Sequence, residues 1–199
     1  MKLSPLIITA FLSLPLAPTW TAEPANPPPA PLKSDSKEWR FYPAAREAEK
    51  ARVLLIGDSI MNAYRQRVSA GLKDRATVDA WLMPITIKSP ELHDDLRTVL
   101  EQGPYDVVHF NIGLHEWMKD FIPEGQYEPL LRAYVKTLKD HAGHATLIWA
   151  STTQMTVKKD QPTALDPDNN PSIVERNAIA AREMRLTDVK GNVAKEILV

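Results

Sequence analysis

The sequence predicts an α/β fold in which a parallel sheet carries helices on both faces. Three observations lead there. Apolar runs of strand length alternate with longer stretches of helical periodicity from Arg52 onward, the pattern of successive strand–helix units. The first run, Val53-Leu54-Leu55-Ile56, is continuous instead of alternating, as expected of a strand covered on both faces. Glycine or proline stands at the joins, at Gly57, Gly71, Gly103-Pro104 and Gly143, where the chain must change direction.

The first strand closes at Gly57, and a helix follows over 60–72. Residues 77–82 read as a second strand. Ser89-Pro90-Glu91 has the form of a helix start, with serine as N-cap, proline at the first helical position and an acid in the first turn. That helix runs to Gln102, and Gly103-Pro104 stops it. Val107, Val108, His109 and Phe110 form a third strand. Residues 127–141 are helical, with Leu130, Leu131, Tyr134, Val135 and Leu138 at core-facing spacing, and Gly143 ends them. A fourth strand covers 145–150, a polar loop with Pro162, Pro167 and Pro171 follows, and the last helix covers 172–184. Open sheets of this kind bind ligands beyond the carboxyl ends of their strands, so chemistry is to be sought just after each strand.

A chain of 199 residues with 44% apolar and 25% charged residues supports one domain with its own core. Its formal net charge of -1 offers no basic stripe, which argues against a nucleic-acid partner. The absence of cysteine excludes a disulfide framework, a thiolate metal site and a cysteine nucleophile. Residues 1–22 read as a signal peptide: Lys2 is the positive start, 6–16 an apolar run too short to span a bilayer, and 17–22 the small-residue region. Trp20 suits that region badly, so the cleavage point stays open, with an uncleaved membrane anchor as the alternative. Cleavage implies a secreted or periplasmic protein with no stable membrane span. Residues 23–38, holding Pro24, Pro27, Pro28, Pro29 and Pro31, form an extended linker. The domain covers 39–199.

After the first strand comes Gly57-Asp58-Ser59-Ile60. A serine on this tight strand-to-helix turn presents its hydroxyl at the sheet edge, beside helix N–H groups that can stabilise a developing oxyanion. Gly57 allows the turn, and Asp58 can fix it through side-chain to backbone hydrogen bonds. Two readings of Ser59 stand side by side: a nucleophile, or simply the N-cap of the helix.

The stretch Arg52-Val-Leu-Leu-Ile-Gly-Asp-Ser-Ile60 resembles the first block of the SGNH (GDSL-type) hydrolases. Asp106-Val-Val-His-Phe-Asn-Ile-Gly-Leu-His-Glu-Trp117 resembles the third block of a secreted, mostly bacterial subgroup, and the likeness extends through Leu147-Ile-Trp-Ala-Ser-Thr-Thr153. The resemblance implies a three-layer α/β/α sandwich with a flavodoxin-like parallel sheet, and Ser59 as the nucleophile of an ester hydrolase. Carbohydrate acetyl groups, lipid esters or small esters are the substrates it implies. It implies neither a metal nor an organic cofactor.

The sequence departs from the family in three places. The third block usually reads Gly-x-Asn-Asp, its Asn donating to the oxyanion; here it reads Gly113-Leu114-His115-Glu116. His115 takes the Asn position, and an imidazole N–H can donate. Asn111, closing the strand, is a second candidate donor; the alternative is that Asn111 and His115 only shape the loop. The second block should supply a glycine N–H, yet none lies between Leu82 and Leu92, so a donor there would be another backbone N–H near Thr86 or Lys88. The final Asp-x-x-His block, which brings the catalytic base, is not found before Val199. A serine hydroxyl needs an adjacent base, and losing it removes several orders of magnitude of rate. The expectation is a C-terminally short domain lacking the last strand and helix, from a shortened product or a divergent, weak or inactive member. His115 is the one histidine expected at the strand ends near Ser59, and so the candidate substitute base.

The remaining groups read as structural. His93 lies on a solvated helix face beside Asp94 and Asp95, and His141 and His144 sit at a helix end, where cations are normal; each has a metal-ligand alternative. His109 reads as packed or hydrogen-bonded, Glu116 as structural, and Trp81 and Trp149 as core. No phosphate loop or dinucleotide fingerprint is present. The expectation is an ester hydrolase acting through Ser59 and His115, supported by Asp58, Asn111 and Gly113. Its alternative is a non-catalytic SGNH-fold binding protein.

Overall fold

The structure, a computed structural model, describes residues 40–83, 85–116, 121–157 and 164–187 and the backbone of 190–192. The expected signal and linker lie outside the described residues. The strands are β1 Arg40–Tyr42, β2 Ala51–Gly57, β3 Ala76–Leu82, β4 Val107–Phe110, β5 Thr146–Ala150 and β6 Lys190–Asn192. The helices are α1 Ser59–Leu72, α2 Leu92–Leu100, α3 Tyr127–His141 and α4 Asn170–Leu186. The strands form one sheet in the order β1-β3-β2-β4-β5-β6. All pairs are parallel except β1 with β3. Without β1, that is the flavodoxin-like order 2-1-3-4-5.

Two elements lie beyond the sequence reading. β1 is three residues of antiparallel edge, Arg40 opposite Leu82 through Tyr42 opposite Ala80, too short to show a period of two. β6 is the fifth parallel strand, which was expected to be missing; Lys190, Gly191 and Asn192 pair with Ile148, Trp149 and Ala150. Lys-Gly-Asn holds no apolar residue and so leaves no strand signal in the sequence.

Register explains burial. Leu54, Ile56, Val108, Phe110, Leu147 and Trp149 share one face and are all buried, together with Leu92, Leu96 and Val99 of α2 and Leu131, Tyr134, Val135 and Leu138 of α3. Each such side chain contributes roughly 1.5–3 kcal/mol on burial. The opposite face is covered over Val53 and Leu55 by α1 through Met61, while Val107, His109 and Ile148 there are half-buried. Trp81 and Trp149 are core, as expected. After α3 the chain turns through Gly143 at φ 61°, a left-handed conformation that favours glycine. The α2 start is corrected: Glu91 is its N-cap, and the Ser89 hydroxyl instead accepts from the Thr86 N–H at 3.1 Å. Among the described residues no helix is long and apolar enough to cross a membrane.

Candidate active site

The turn after β2 is tight at every residue. A Cβ on Gly57 would lie 2.7 Å from Met61 Cβ, so only glycine lets α1 start this close to its strand. Asp58 is buried, and its Oδ1 accepts from the Ile60 N–H at 2.8 Å, while its carbonyl accepts from the Asn62 N–H at 3.0 Å. Asp58 is therefore the N-cap of α1, and fixes the turn as its position suggests. Ser59 is the first helical residue and is exposed. The N-cap reading of Ser59 is replaced, because its neighbour does that work.

The loop after β3 folds on itself. The Met83 N–H donates to the Gly57 carbonyl at 2.8 Å, tying the loop to the Ser59 turn. The Lys88 N–H donates to Thr86 Oγ1 at 3.2 Å, and the Ser89 N–H to the Thr86 carbonyl at 3.0 Å. The Ile87 N–H donates to Glu116 Oε1 at 2.6 Å. The two donors expected from this loop, near Thr86 and Lys88, are thus spent inside it. Ile85, half-buried, lies between the two tied ends.

The loop after β4 holds the other candidates. Asn111 Nδ2 donates to the Ala150 carbonyl at 2.7 Å and approaches Thr152 Oγ1 at 3.4 Å. Its amide donors are directed at the end of β5. A Cβ on Gly113 would collide with Thr152 Oγ1, so Gly113 lets the two loops touch. A single turn of 3-10 helix, Leu114–Glu116, then turns His115 outward, exposed, and Glu116 inward, 1% exposed.

Glu116 is the group the sequence reading undervalued, since an acid next to a candidate histidine gives no hint of burial. Burial pushes its carboxyl up to about 7, against the opposing pull of the Ile87 N–H and of Arg176, with the Asp58 charge adding to the rise. Its Oε2, Arg176 Nη1 and the Tyr134 hydroxyl are buried without a hydrogen-bond partner among the described residues. The Tyr127 and Tyr134 hydroxyls are pushed above their usual range, first by burial and then by the Glu116 charge.

The topology thus brings Ser59, His115, Asn111 and Gly113 to the carboxyl edge of the adjacent parallel strands β2 and β4. The other histidines stand elsewhere. His93 is half-buried, with Nδ1 hydrogen-bonded to Thr137 Oγ1 at 2.8 Å, so it joins α2 to α3 instead of facing solvent. His109 packs edge-on against Tyr64, centroids 6.3 Å apart, and burial holds its imidazole below the usual range. His144 lies 3.7 Å from Asp106 Oδ1, and His141 is exposed. Among the described residues no three His, Asp or Glu side chains gather where they could hold a metal.

No protein-family model and no curated protein matches the chain. Solved structures do. A carbohydrate acetylesterase from Sinorhizobium meliloti superposes with a TM-score of 0.57 at 14% identity, over 71% of this chain and 83% of that one. A GDSL-like lipase from Bacteroides thetaiotaomicron gives 0.51 at 11% identity, over 70% and 66%. A family two carbohydrate esterase from Cellvibrio japonicus gives 0.51 at 12% identity, over 74% and 52%. The fold of this chain is that of the SGNH (GDSL-type) hydrolases.

Proposed function

We propose that the chain is a serine ester hydrolase, with Ser59 as nucleophile and a carbohydrate acetyl, lipid or small ester as substrate. One observation carries this reading: the Ser59 hydroxyl is exposed at the carboxyl edge of the central strand, and the capping role that would otherwise explain a serine there belongs to Asp58. The fold shared with esterases and a lipase supports it. Ser59 Oγ attacks the ester carbonyl carbon and loses its proton to a base, for which His115 is the candidate. The tetrahedral oxyanion is held by the Ser59 N–H at the start of α1. As the oxyanion collapses, the alcohol leaves with the proton, and water then releases the acid from the acyl-serine. In this reading Asn111 and Gly113 support the edge by fixing the β4 loop against Thr152. Export through residues 1–22 belongs to the same proposal.

Hydrolysis of p-nitrophenyl acetate by the chain and by Ser59→Ala tests the proposal. The expected result is turnover that disappears in the variant; equal rates in both would sink it. A second reading, a non-catalytic SGNH-fold binding protein, is favoured by one observation: the Asn111 amide is engaged by the Ala150 carbonyl and Thr152 Oγ1 at the end of β5. His115→Gln separates the cases further. It should lower Ser59-dependent turnover by about 100-fold or more if His115 is the base, and unchanged turnover would remove His115 from the mechanism.

A further inference from the structure

The loops after β3 and β4 meet at Glu116, and among the described residues one of its two carboxyl oxygens has a hydrogen-bond partner. A carboxyl at 1% exposure is costly unless its oxygens are used. What Glu116 Oε1 holds is the Ile87 N–H, at 2.6 Å. Ile87 belongs to the knot of residues 86–89, closed on itself by the bonds among Thr86, Lys88 and Ser89. The other tie of this loop to the site is Met83 N–H on the Gly57 carbonyl. The loop after β3 is thus tied to the Ser59 turn at one end and to Glu116 at the other. Glu116 is also the immediate neighbour of His115, on a turn that sends one side chain out and the other in.

We infer that Glu116 is a positioning residue for the ester hydrolysis proposed above: through the Ile87 N–H it locks the loop after β3, which is tied to the Ser59 turn by the Met83 N–H, against the turn after β4, which carries His115. The inference rests on that reading and deepens it. The groups facing Glu116 fit the assignment. Arg176 of α4 offers a compensating charge, Asp58 at the start of α1 opposes it, and the Tyr127 and Tyr134 hydroxyls of α3 lie within reach of the Glu116 charge. Misplacing a reacting group by about 1 Å costs roughly 100-fold in rate, so an anchor of this kind is read in kcat and not in substrate binding.

The test uses the full chain, p-nitrophenyl acetate and four proteins: wild type, Ser59→Ala, Glu116→Gln and Glu116→Leu. Glu116→Leu keeps the volume and loses the acceptor, and should lose about 10- to 100-fold in kcat with KM changed less than about twofold. Glu116→Gln still offers an oxygen to the Ile87 N–H and should recover most of that loss. Amide hydrogen exchange should show Ile87 protected in wild type and Glu116→Gln and unprotected in Glu116→Leu. If Glu116→Leu does not fold, Glu116→Asp, whose shorter side chain withdraws the oxygen, takes its place with the same expectation. Full kcat in the Leu or Asp variant, or equal loss in Gln and Leu, overturns the inference while leaving Ser59 chemistry intact. Wild-type turnover no greater than that of Ser59→Ala overturns the functional reading itself, and the positioning role with it.

Discussion

At Asp58 one carboxyl oxygen caps the Ile60 N–H, and the next residue in the chain is the candidate nucleophile. Asp58→Ala should cost about 1 kcal/mol, a fall of about 2–4 °C in melting temperature for a chain of this size, and should lower esterase turnover because Ser59 rides on the same turn. Asp58→Asn keeps a capping oxygen and should retain most of the stability. Glu116 makes the opposite use of burial. In the unfolded chain its carboxyl sheds its proton near 4.5, and in the fold it keeps it to about 7. The folded state therefore holds more protons between those values, and stability from this group is fully present below 4.5 and lost as pH rises to about 7. Denaturant unfolding at pH 5 and pH 8 should show wild type losing on the order of 1–3 kcal/mol more than Glu116→Gln over that step. A parallel pH dependence in the two proteins would contradict the assignment.

The carboxyl edge is built by side chains that periodicity does not reveal. On α4, Asn177 accepts from the Thr152 N–H at 2.9 Å and donates to the Thr152 carbonyl at 2.8 Å. Asn170 does the same to Met155, at 2.8 and 2.7 Å. Seven helical residues rise about 10.5 Å, and three extended residues span about 10 Å, so the two amides match the loop after β5 rung for rung. Asn177→Ala should cost about 1–3 kcal/mol by stranding both backbone groups of Thr152, with faster amide exchange at Thr152 as the local sign. An asparagine on a helix reads as solvent-facing in the sequence, which is why these clamps were not legible there. The inner strands and the helices were legible, because both faces of β2 are covered and α3 repeats its apolar residues at helical spacing. Of the site, Asp58 and the exposure of Ser59 followed from the turn motif. The directions of Asn111 and Glu116 did not, because each depends on a partner some thirty or forty residues away.

The sheet order sets the site at one end of the molecule and its main polar staple in the sheet interior. Asp79 of β3 accepts from Arg52 at 2.6 Å, from the Tyr105 hydroxyl at 2.9 Å and from the Ala44 N–H at 2.7 Å, joining β2, β3, the approach to β4 and the segment after β1. Asp79→Ala would leave Arg52 and Tyr105 short of a buried partner, and should destabilise the fold by about 3–5 kcal/mol. A loss below 1 kcal/mol in urea unfolding would contradict that account of the network. The order 2-1-3-4-5, completed by the short β6, makes the superposition on esterases of 11–14% identity intelligible. Parallel strands covered on both faces keep a path for the chain while side chains change.

The most direct test of Ser59 as a nucleophile is covalent. The chain would be incubated with a fluorophosphonate probe and the modified residue located by peptide mass spectrometry, with Ser59→Ala in parallel. The account predicts a single adduct on Ser59 that is absent from the variant. No adduct, or an adduct elsewhere with Ser59 unmodified, would contradict it.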